Sequence, residues 1–373
     1  MNVAIVDPTP LPRVAPRAAG MDADRLVAAV AYAVAHESAC PRSMRLPDGR
    51  FAMTADSGER PPDNAILGPV TPRGAPAGLI LRGGRIVTDW GNPDRPDMTF
   101  SVAKSFLALL AGLAVGDGLI RDLNHRVADT APDDGFSGAQ NRDITWLQLL
   151  QQTSEWEGTL FDKPDMIDRN RQVGVAAATS AARKGTFRAL QKPGAYWEYN
   201  DVRVNRLSLS LLQLFREELP SVLKHRLMEP IGASTSWRWD GYRNATVDVA
   251  GKTLLSVPGG GHWGGGIVIS ASDLARLGLL VAADGVWQGR RLLPEGWCAE
   301  LRRPCAIAPF YGLMWWLNTG RRQYPAAPES SVFALGWGSH IVWIDPDHDL
   351  VAVLRWIDRA HVNGVIERVL ASL

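Results

Sequence analysis

Short apolar runs near both ends of the chain have the length and punctuation of β-strands. Residues 78–82 and 85–90 are such runs, and Gly83-Gly84 between them predicts a two-stranded hairpin. The same signals return late in the sequence, where we predict strands over residues 311–317, 340–345 and 350–356.

Helical periodicity dominates between the early and late runs and also occurs near both ends of the chain. Residues 106–115 are almost wholly apolar, which predicts a helix that is buried on all sides. By contrast, residues 40–76 are rich in Pro, Gly and Asp and are predicted to be irregular. Leucine clusters or apolar periodicity predict further helices at 23–36, 146–150, 207–215 and 362–370.

The order of hairpin, helices and late strands indicates how the chain divides. We predict an α/β plus α fold, in which one sheet domain is split by a helical insertion. The sheet domain comprises residues 20–100 and 250–373, and the mainly helical domain comprises residues 101–249. Residues 1–19 are predicted to form an extended N-terminal arm, and the active site is expected between the two domains.

The composition is that of a globular chain with enough apolar residues for a large core. Of its 373 residues 46% are hydrophobic, and 40 basic against 39 acidic residues leave a net charge of +1. This balance argues against a nucleic-acid or acidic-membrane partner. Three widely spaced cysteines predict neither a disulfide framework nor a metal site. Because we find no secretory signal and no membrane-spanning run, a cytoplasmic enzyme is expected.

Candidate chemistry lies at the head of the apolar helix, in the segment Ser101-Val102-Ala103-Lys104. Positions three apart share a helix face, so the serine hydroxyl is predicted to lie beside the lysine amine in an apolar setting. Serine needs an adjacent base to act as a nucleophile, and burial disfavours the charged form of lysine, so this amine can be that base. The alternative is that Ser101 only caps the helix. A second S-x-x-K, at 221–224, lies in an ordinary amphipathic helix.

The glycine-rich stretch at 258–266 does not match a nucleotide-binding motif. It lacks the lysine and hydroxyl residue of a phosphate loop, and its glycine order does not fit a dinucleotide fingerprint. We therefore predict close backbone approach at this stretch rather than phosphate binding.

Several segments, taken in order, resemble the β-lactamase-related serine hydrolases. S-x-x-K is the nucleophile motif of serine β-lactamases and penicillin-binding proteins. The class C β-lactamase-like group also contains carboxylesterases, acyltransferases and nylon-oligomer (6-aminohexanoate dimer) hydrolases, and residues 144–158 and 193–201 look closest to the last branch. The other features that carry the resemblance are the hairpin before the nucleophile and segments 100–106, 264–276, 336–340 and 344–346.

This resemblance extends over about residues 20 to 373. It implies a β-lactamase/penicillin-binding-protein (DD-peptidase)-like fold, in which an antiparallel sheet is flanked by helices and carries an inserted all-α domain. It also implies a serine acyl-enzyme mechanism with no metal and no cofactor.

The family's second motif is Y-x-N, whose tyrosine lies beside the nucleophile and exchanges its proton. Tyr199-Asn200-Asp201 fits this motif by position, with aspartate in the place of asparagine. Asp201 is a candidate for substrate binding, or else it is only the N-cap of the following helix. Tyr242-Arg243-Asn244 matches the Y-x-N motif at both defined positions. However, it lies in a stretch that resembles the family's loop before the glycine-rich segment, so Tyr199 is favoured as the motif tyrosine. A core aromatic with a bonded hydroxyl is the alternative interpretation of Tyr199.

The family's third motif, K-T-G or H-x-G on a strand beside the site, is absent in that form. Its nearest equivalent is Gly336-Trp337-Gly338-Ser339-His340, where glycines let the backbone approach a substrate carbonyl. We predict oxyanion donors or polar contacts from Gly338, Ser339 and His340, and we expect Trp337 to line the acyl pocket. The missing cationic residue argues against β-lactams as the main substrate. The tryptophans that fall near these segments, in a pocket or in the core, are Trp156, Trp197, Trp263, Trp315, Trp316 and Trp337.

The sequence therefore predicts a serine hydrolase that acts on a small-molecule ester or amide. In this hypothesis Ser101 attacks, Lys104 and Tyr199 share the role of general base, and backbone N–H groups of Ser101 and residues 338–340 stabilise the oxyanion. An acyltransferase of the same fold is the nearest alternative, followed by a non-catalytic binding module and a DD-peptidase. The oligomeric state is not indicated by the sequence.

Overall fold

The protein, in a computed structural model that describes residues 10–131, 133–176 and 182–373, combines α-helices of 5 to 15 residues with short β-strands in one mixed α/β chain. The α-helices are α1 (Ala23–Ala35), α2 (Ala52–Asp56), α3 (Val102–Gly116), α4 (Trp146–Leu150), α5 (Asp201–Phe215), α6 (Leu219–Leu223), α7 (Ala271–Ala282), α8 (Trp297–Leu301) and α9 (Val362–Leu370). The strands are β1 (Ala77–Arg82), β2 (Arg85–Trp90), β3 (Asp97–Met98), β4 (Thr159–Leu160), β5 (Lys163–Pro164), β6 (Arg238–Asp240), β7 (Thr246–Val249), β8 (Lys252–Leu255), β9 (Gly266–Ile269), β10 (Val286–Trp287), β11 (Arg290–Arg291), β12 (Trp316–Leu317), β13 (Val332–Gly336), β14 (His340–Asp345) and β15 (Leu350–Arg355).

The main sheet has six antiparallel strands in the order β12-β13-β14-β15-β1-β2. The predicted hairpin is confirmed, because Gly83 and Gly84 both adopt positive φ angles, of 56° and 71°, in the turn between β1 and β2. In the middle of the sheet β1 pairs with β15, with Ala77 opposite Arg355. Strands from the early and late parts of the sequence therefore close one sheet, as the sequence predicts.

Helices cover both faces of this sheet, because successive strand residues point to opposite sides. Leu79 and Leu81 of β1 belong to the core that contains α3, α5 and α7, whereas Ile80 belongs to the core that contains α1 and α9. The predicted apolar helix is α3, which is buried from Val102 to Ala114. The site described below lies where the N-terminus of α3 meets the ends of the sheet strands.

The region predicted to be mainly helical contains longer irregular segments than expected. Between α3 and α5 the described residues form one five-residue helix, α4, together with short 3-10 turns and the small β4–β5 ribbon. The strand predicted over 311–317 shortens to β12, because Met314 adopts a positive φ of 57° that an extended strand does not accommodate. Within the described ranges, no helix has the length and apolar character needed to cross a membrane.

The N-terminal arm contacts the sheet edge. Residues 1–9 lie outside the described residues, but the Val14 amide donates to the Ile86 carbonyl, and the Ile86 amide donates to the Pro12 carbonyl. Residues 12–14 of the predicted arm therefore lie alongside β2, whereas residues Pro16–Ala19 form a 3-10 turn and are not extended as predicted.

Gly278 lets α7 lie directly on the sheet. A Cβ atom at this position would lie 2.7 Å from Val351 Cγ1 and 3.0 Å from Val342 Cγ1. We expect Gly278→Val to lower the free energy of unfolding by about 1–3 kcal/mol through overpacking, as measured by urea denaturation. Ala282→Val, at an exposed position near the end of the same helix, is the matched control. Equal losses in the two variants would contradict this packing argument.

Candidate active site

Ser101 lies at a sharp turn where the chain passes from β3 into α3. The preceding residue, Phe100, adopts a positive φ of 52°, and Ser101 then begins the first helical turn. Among the described residues, the Ser101 side chain forms no capping hydrogen bond to the helix, so the capping interpretation does not account for it. Instead, Lys104 Nζ lies 3.0 Å from Ser101 Oγ, and the lysine side chain is only 1% exposed. The hydroxyl and amine are therefore adjacent, as the motif predicts.

The surroundings of Lys104 differ from the apolar setting that we expected. Its amine forms an ion pair with Asp201 Oδ1 and donates to the Gly259 carbonyl at 3.3 Å. The N-cap interpretation of Asp201 is also corrected, because the side chain of Asn200 caps α5 and leaves the Asp201 carboxylate free to turn toward Lys104. Asp201 thus belongs to the site through its contact with the candidate base.

The second carboxylate oxygen of Asp201 contacts two further basic side chains. Arg171 Nη1 lies 2.6 Å and His262 Nδ1 2.7 Å from Asp201 Oδ2. Burial by itself would raise the pKa of Asp201, but the charges of Arg171 and Lys104, together with the hydrogen bond from His262, hold that pKa well below its usual value. Asp201 is therefore an ionised carboxylate shared by three basic groups.

The network continues from His262 to a second pair of acidic residues. His262 Nε2 contacts Glu59 Oε1, and Glu59 also pairs with Lys184. Lys184 Nζ lies 3.1 Å from Asp168 Oδ1, while Asp168 Oδ2 accepts a hydrogen bond of 2.7 Å from the Asp201 amide. Burial would raise the pKa values of Glu59 and Asp168, but the neighbouring cations lower both below their usual values.

Three of these side chains form a cluster of atoms that could hold a metal ion, namely those of Glu59, Asp168 and His262. One ligand atom from each lies within 4.8 Å of the others. However, Lys184 already forms ion pairs with both carboxylates, and His262 contacts carboxylates through both of its nitrogens. The cluster is therefore balanced by its own cations and carries no argument for a metal.

Of the two candidate tyrosines, Tyr199 lies in the wall of the cleft. The centre of its ring lies 4.7 Å from Lys104 Nζ and 5.2 Å from Arg171 Cζ. Within the described residues its hydroxyl forms no hydrogen bond with Ser101 or Lys104, so the contact with the lysine is through the ring. Tyr242 is buried away from the cleft; burial raises its pKa, and its hydroxyl bonds to Asn205.

The segment predicted to replace the third motif forms a hairpin turn. β13 ends at Gly336 and β14 begins at His340, while Gly338 and Ser339 adopt positive φ angles of 76° and 55° in the turn. A Cβ atom on Gly336 would lie 2.1 Å from the Thr99 carbonyl, so this glycine lets the turn approach the segment that carries the nucleophile. The residues of this segment that line the cleft are Gly336, Trp337, Gly338 and Ser339.

The predicted polar contact from His340 is corrected by the structure. Its ring lies behind the turn, with its centre 4.4 Å from that of Trp356 and 6.0 Å from that of Phe100, and does not line the cleft. Within the described part of the chain, neither ring nitrogen has a hydrogen-bond partner. Burial, reinforced by Arg355 and Arg73, holds the pKa of His340 well below its usual value, so it is a neutral core residue.

The cleft has a volume of about 1080 Å³, with Ser101 and Tyr199 in its wall. Leu335 and Ile341 give it an apolar side, and Asp56 accepts a hydrogen bond of 2.8 Å from Trp337 Nε1 at its edge. A cleft of this size accommodates a small organic ligand. Of the six tryptophans near the motifs, those in the cleft wall are Trp316 and Trp337, whereas Trp156, Trp197, Trp263 and Trp315 pack elsewhere.

Sequence reasoning identified Ser101, Lys104 and Tyr199 but missed most of the charged network. The missed residues come from separate loops, and neither spacing nor periodicity connects them. The sequence feature that could have pointed to His262 is the glycine-rich stretch around it, which predicts close backbone approach. That prediction is confirmed at Gly260, where a Cβ atom would lie 3.2 Å from Lys104 Nζ. The residues of this network that were not identified from the sequence are Glu59, Asp168, Arg171, Lys184 and His262.

Comparison with known proteins agrees with this geometry. The Beta-lactamase family model matches residues 73–356. The 6-aminohexanoate-dimer hydrolase of Paenarthrobacter ureafaciens is 22% identical over 320 residues, which cover 79% of this chain and 76% of that protein.

Two solved structures share the fold. A penicillin-binding protein homologue from Caulobacter crescentus has a TM-score of 0.58 at 17% identity, over 88% of this chain and 99% of that chain. EstCE1, described as a hydrolase with promiscuous acyltransferase activity, also has a TM-score of 0.58, at 16% identity over 92% of this chain and 98% of that chain. With its β-lactamase/penicillin-binding-protein-like fold, the chain belongs to the β-lactamase family and is a serine hydrolase.

Proposed function

We propose that this protein hydrolyses a carboxylic ester or amide through an acyl-serine intermediate on Ser101. The observation that carries the proposal is the distance of 3.0 Å between Ser101 Oγ and the buried Lys104 Nζ, at the wall of a cleft large enough for a small substrate. A nucleophile and a base within hydrogen-bonding distance are the minimum requirement for acyl-enzyme chemistry.

The reaction begins when Ser101 Oγ forms a bond to the substrate carbonyl carbon and its proton passes to Lys104 Nζ. The tetrahedral intermediate then collapses, and the leaving alcohol or amine takes up, through Tyr199, the proton that Lys104 accepted, as its bond to the carbonyl carbon breaks. Water attacks the acyl-serine ester in the second half of the cycle, which releases the acid and restores the Ser101 hydroxyl. Lys104 must be a neutral amine at the moment when it accepts the proton.

Oxyanion stabilisation is assigned to backbone N–H groups. We infer that the Ser101 amide and an amide of the turn at Gly338-Ser339 donate to the developing charge, because both segments line the same cleft. The close approach of Gly336 to Thr99 supports this pairing, since it brings the turn beside the nucleophile. Tyr199 is assigned the transfer of a proton to the leaving group, because it lines the same cleft as Ser101.

The two S-x-x-K segments provide a matched test of the nucleophile and base. We expect Ser101→Ala to abolish turnover and labelling by a fluorophosphonate probe, and Lys104→Met to slow turnover about 10²–10⁴-fold. Ser221→Ala and Lys224→Met, in the second copy of the motif, should retain wild-type rates because Lys224 is exposed. Thermal unfolding checks that each variant is folded. Labelling that persists in folded Ser101→Ala protein would refute the proposal.

The two candidate tyrosines are separated by a second comparison. We expect Tyr199→Phe to lower kcat about 10²-fold, because the phenol is lost from the cleft while the ring contact with Lys104 is kept. Tyr242→Phe should change thermal stability more than kcat, because its hydroxyl bonds to Asn205 in the core. Steady-state kinetics on one chromogenic ester measures both effects. A greater loss of kcat in Tyr242→Phe would contradict the assignment.

The substrate class is tested with p-nitrophenyl esters, linear amide oligomers and nitrocefin. We expect turnover of esters or amide oligomers to exceed that of nitrocefin, because the turn at 336–340 offers no lysine side chain for a β-lactam carboxylate. The name of the Paenarthrobacter relative, a 6-aminohexanoate-dimer hydrolase, supports an amide as the substrate. The name of EstCE1, a hydrolase with acyltransferase activity, supports transfer of the acyl group to acceptors other than water. Product analysis with added methanol separates hydrolysis from acyl transfer. Preferential nitrocefin turnover would contradict the substrate class proposed.

A further inference from the structure

His262 occupies an unusual position between two carboxylates. It is 1% exposed, its Nδ1 lies 2.7 Å from Asp201 Oδ2, and its Nε2 contacts Glu59 Oε1. An ionised carboxylate only accepts hydrogen bonds, so each ring nitrogen must carry a proton to satisfy this geometry. The arrangement therefore selects the imidazolium form of His262.

We propose that His262 is a positioning residue, which as an imidazolium holds Asp201 in place and offsets the negative charge that Asp201 presents to Lys104. This inference rests on the proposed role of Lys104 as the base. His262 does not line the cleft, so it acts through Asp201 rather than on the substrate.

The Asp201 carboxylate is shared among several basic side chains. A carboxylate paired with Lys104 alone would stabilise the ammonium form and oppose proton transfer from Ser101. In this site the same carboxylate also contacts Arg171 and His262. Over the whole network, four cations outnumber three carboxylates by one, and Arg171 cannot release its proton. The cations are Lys104, Arg171, Lys184 and the imidazolium of His262, and the carboxylates are those of Asp201, Asp168 and Glu59. The excess is relieved when Lys104 becomes neutral, which is the state that the reaction requires.

Glu59 maintains this arrangement from the other side of the imidazole. It contacts His262 Nε2 through Oε1 and accepts a hydrogen bond of 2.9 Å from Trp263 Nε1 through Oε2. The ring of Trp263 stacks on that of His262, with 4.4 Å between their centres. The charged groups that surround His262 directly or through these partners are Asp201, Glu59, Asp168, Lys104, Arg171, Lys184 and Lys163.

The test is the pH profile of kcat/KM for His262→Gln, which removes the cation but keeps a hydrogen-bonding side chain. We expect the acid limb to move to higher pH by about one unit, so that the rate falls about tenfold on that limb and recovers in alkali. KM should change by less than about twofold, because His262 does not contact the cleft. A purely structural role would lower the rate equally at every pH.

Trp263→Phe is the matched control, because it removes a hydrogen bond to Glu59 and alters the packing of the same segment without changing charge. Its pH profile should overlay that of the wild type. A folded His262→Gln protein whose profile also overlays the wild type would overturn the inference.

A second variant covers the case in which His262→Gln does not fold. In Glu59→Gln the side-chain amide can donate to a neutral imidazole. Because the lost imidazolium charge contacts Asp201 directly, whereas the lost carboxylate lies on the far side of the ring, the acid limb should move in the same direction but by less. If neither variant folds, nitrogen-15 spectra of the wild-type protein at neutral pH measure the protonation state of its histidines, and a neutral His262 overturns the inference.

Fluorophosphonate labelling of wild-type Ser101 distinguishes failure of the proposed function from failure of this inference. Absent labelling refutes the serine mechanism, whereas labelling with unshifted variant profiles refutes only the role of His262.

Discussion

The carboxylate of Asp201 is the contact on which the arrangement of the site depends. One oxygen meets Lys104 at the start of α3, and the other meets Arg171 and His262 from two separate loops. Removing a single partner from a buried ion pair typically costs about 3–5 kcal/mol, because the remaining charge stays uncompensated. Asp201 therefore fixes the relative positions of three chain segments and at the same time sets the charge beside the nucleophile.

Glycines make this proximity possible. The Gly259 carbonyl accepts a hydrogen bond from Lys104, and the absence of a side chain on Gly260 lets the backbone lie against the lysine and Ser101. On the opposite side, Gly336 brings the hairpin turn against Thr99. Backbone therefore closes around the nucleophile from both sides, and oriented amides need no further reorganisation when charge develops on a substrate.

Local features of the sequence predicted the parts of the site that depend on local geometry. Ser101 and Lys104 are adjacent because residues three apart share a helix face, and β1 and β2 follow from a glycine turn between apolar runs. The charged network could not be predicted in this way, because His262 and Arg171 reach Asp201 only through the tertiary fold. The expectation for His340 was wrong for a related reason, since the turn that precedes β14 directs its ring into the core instead of toward the cleft.

The pairing of β1 with β15 has a consequence for biosynthesis. A nascent chain cannot complete the central sheet until the segment containing Leu350–Arg355 has left the ribosome, because that segment supplies the neighbour of β1. Long-range pairing of this kind slows folding relative to chains that are built from local contacts. The hydroxyl of Ser101 and the hairpin turn that faces it are thus brought together only after the segment from Val332 to Arg355 has been synthesised, more than 200 residues after the nucleophile itself.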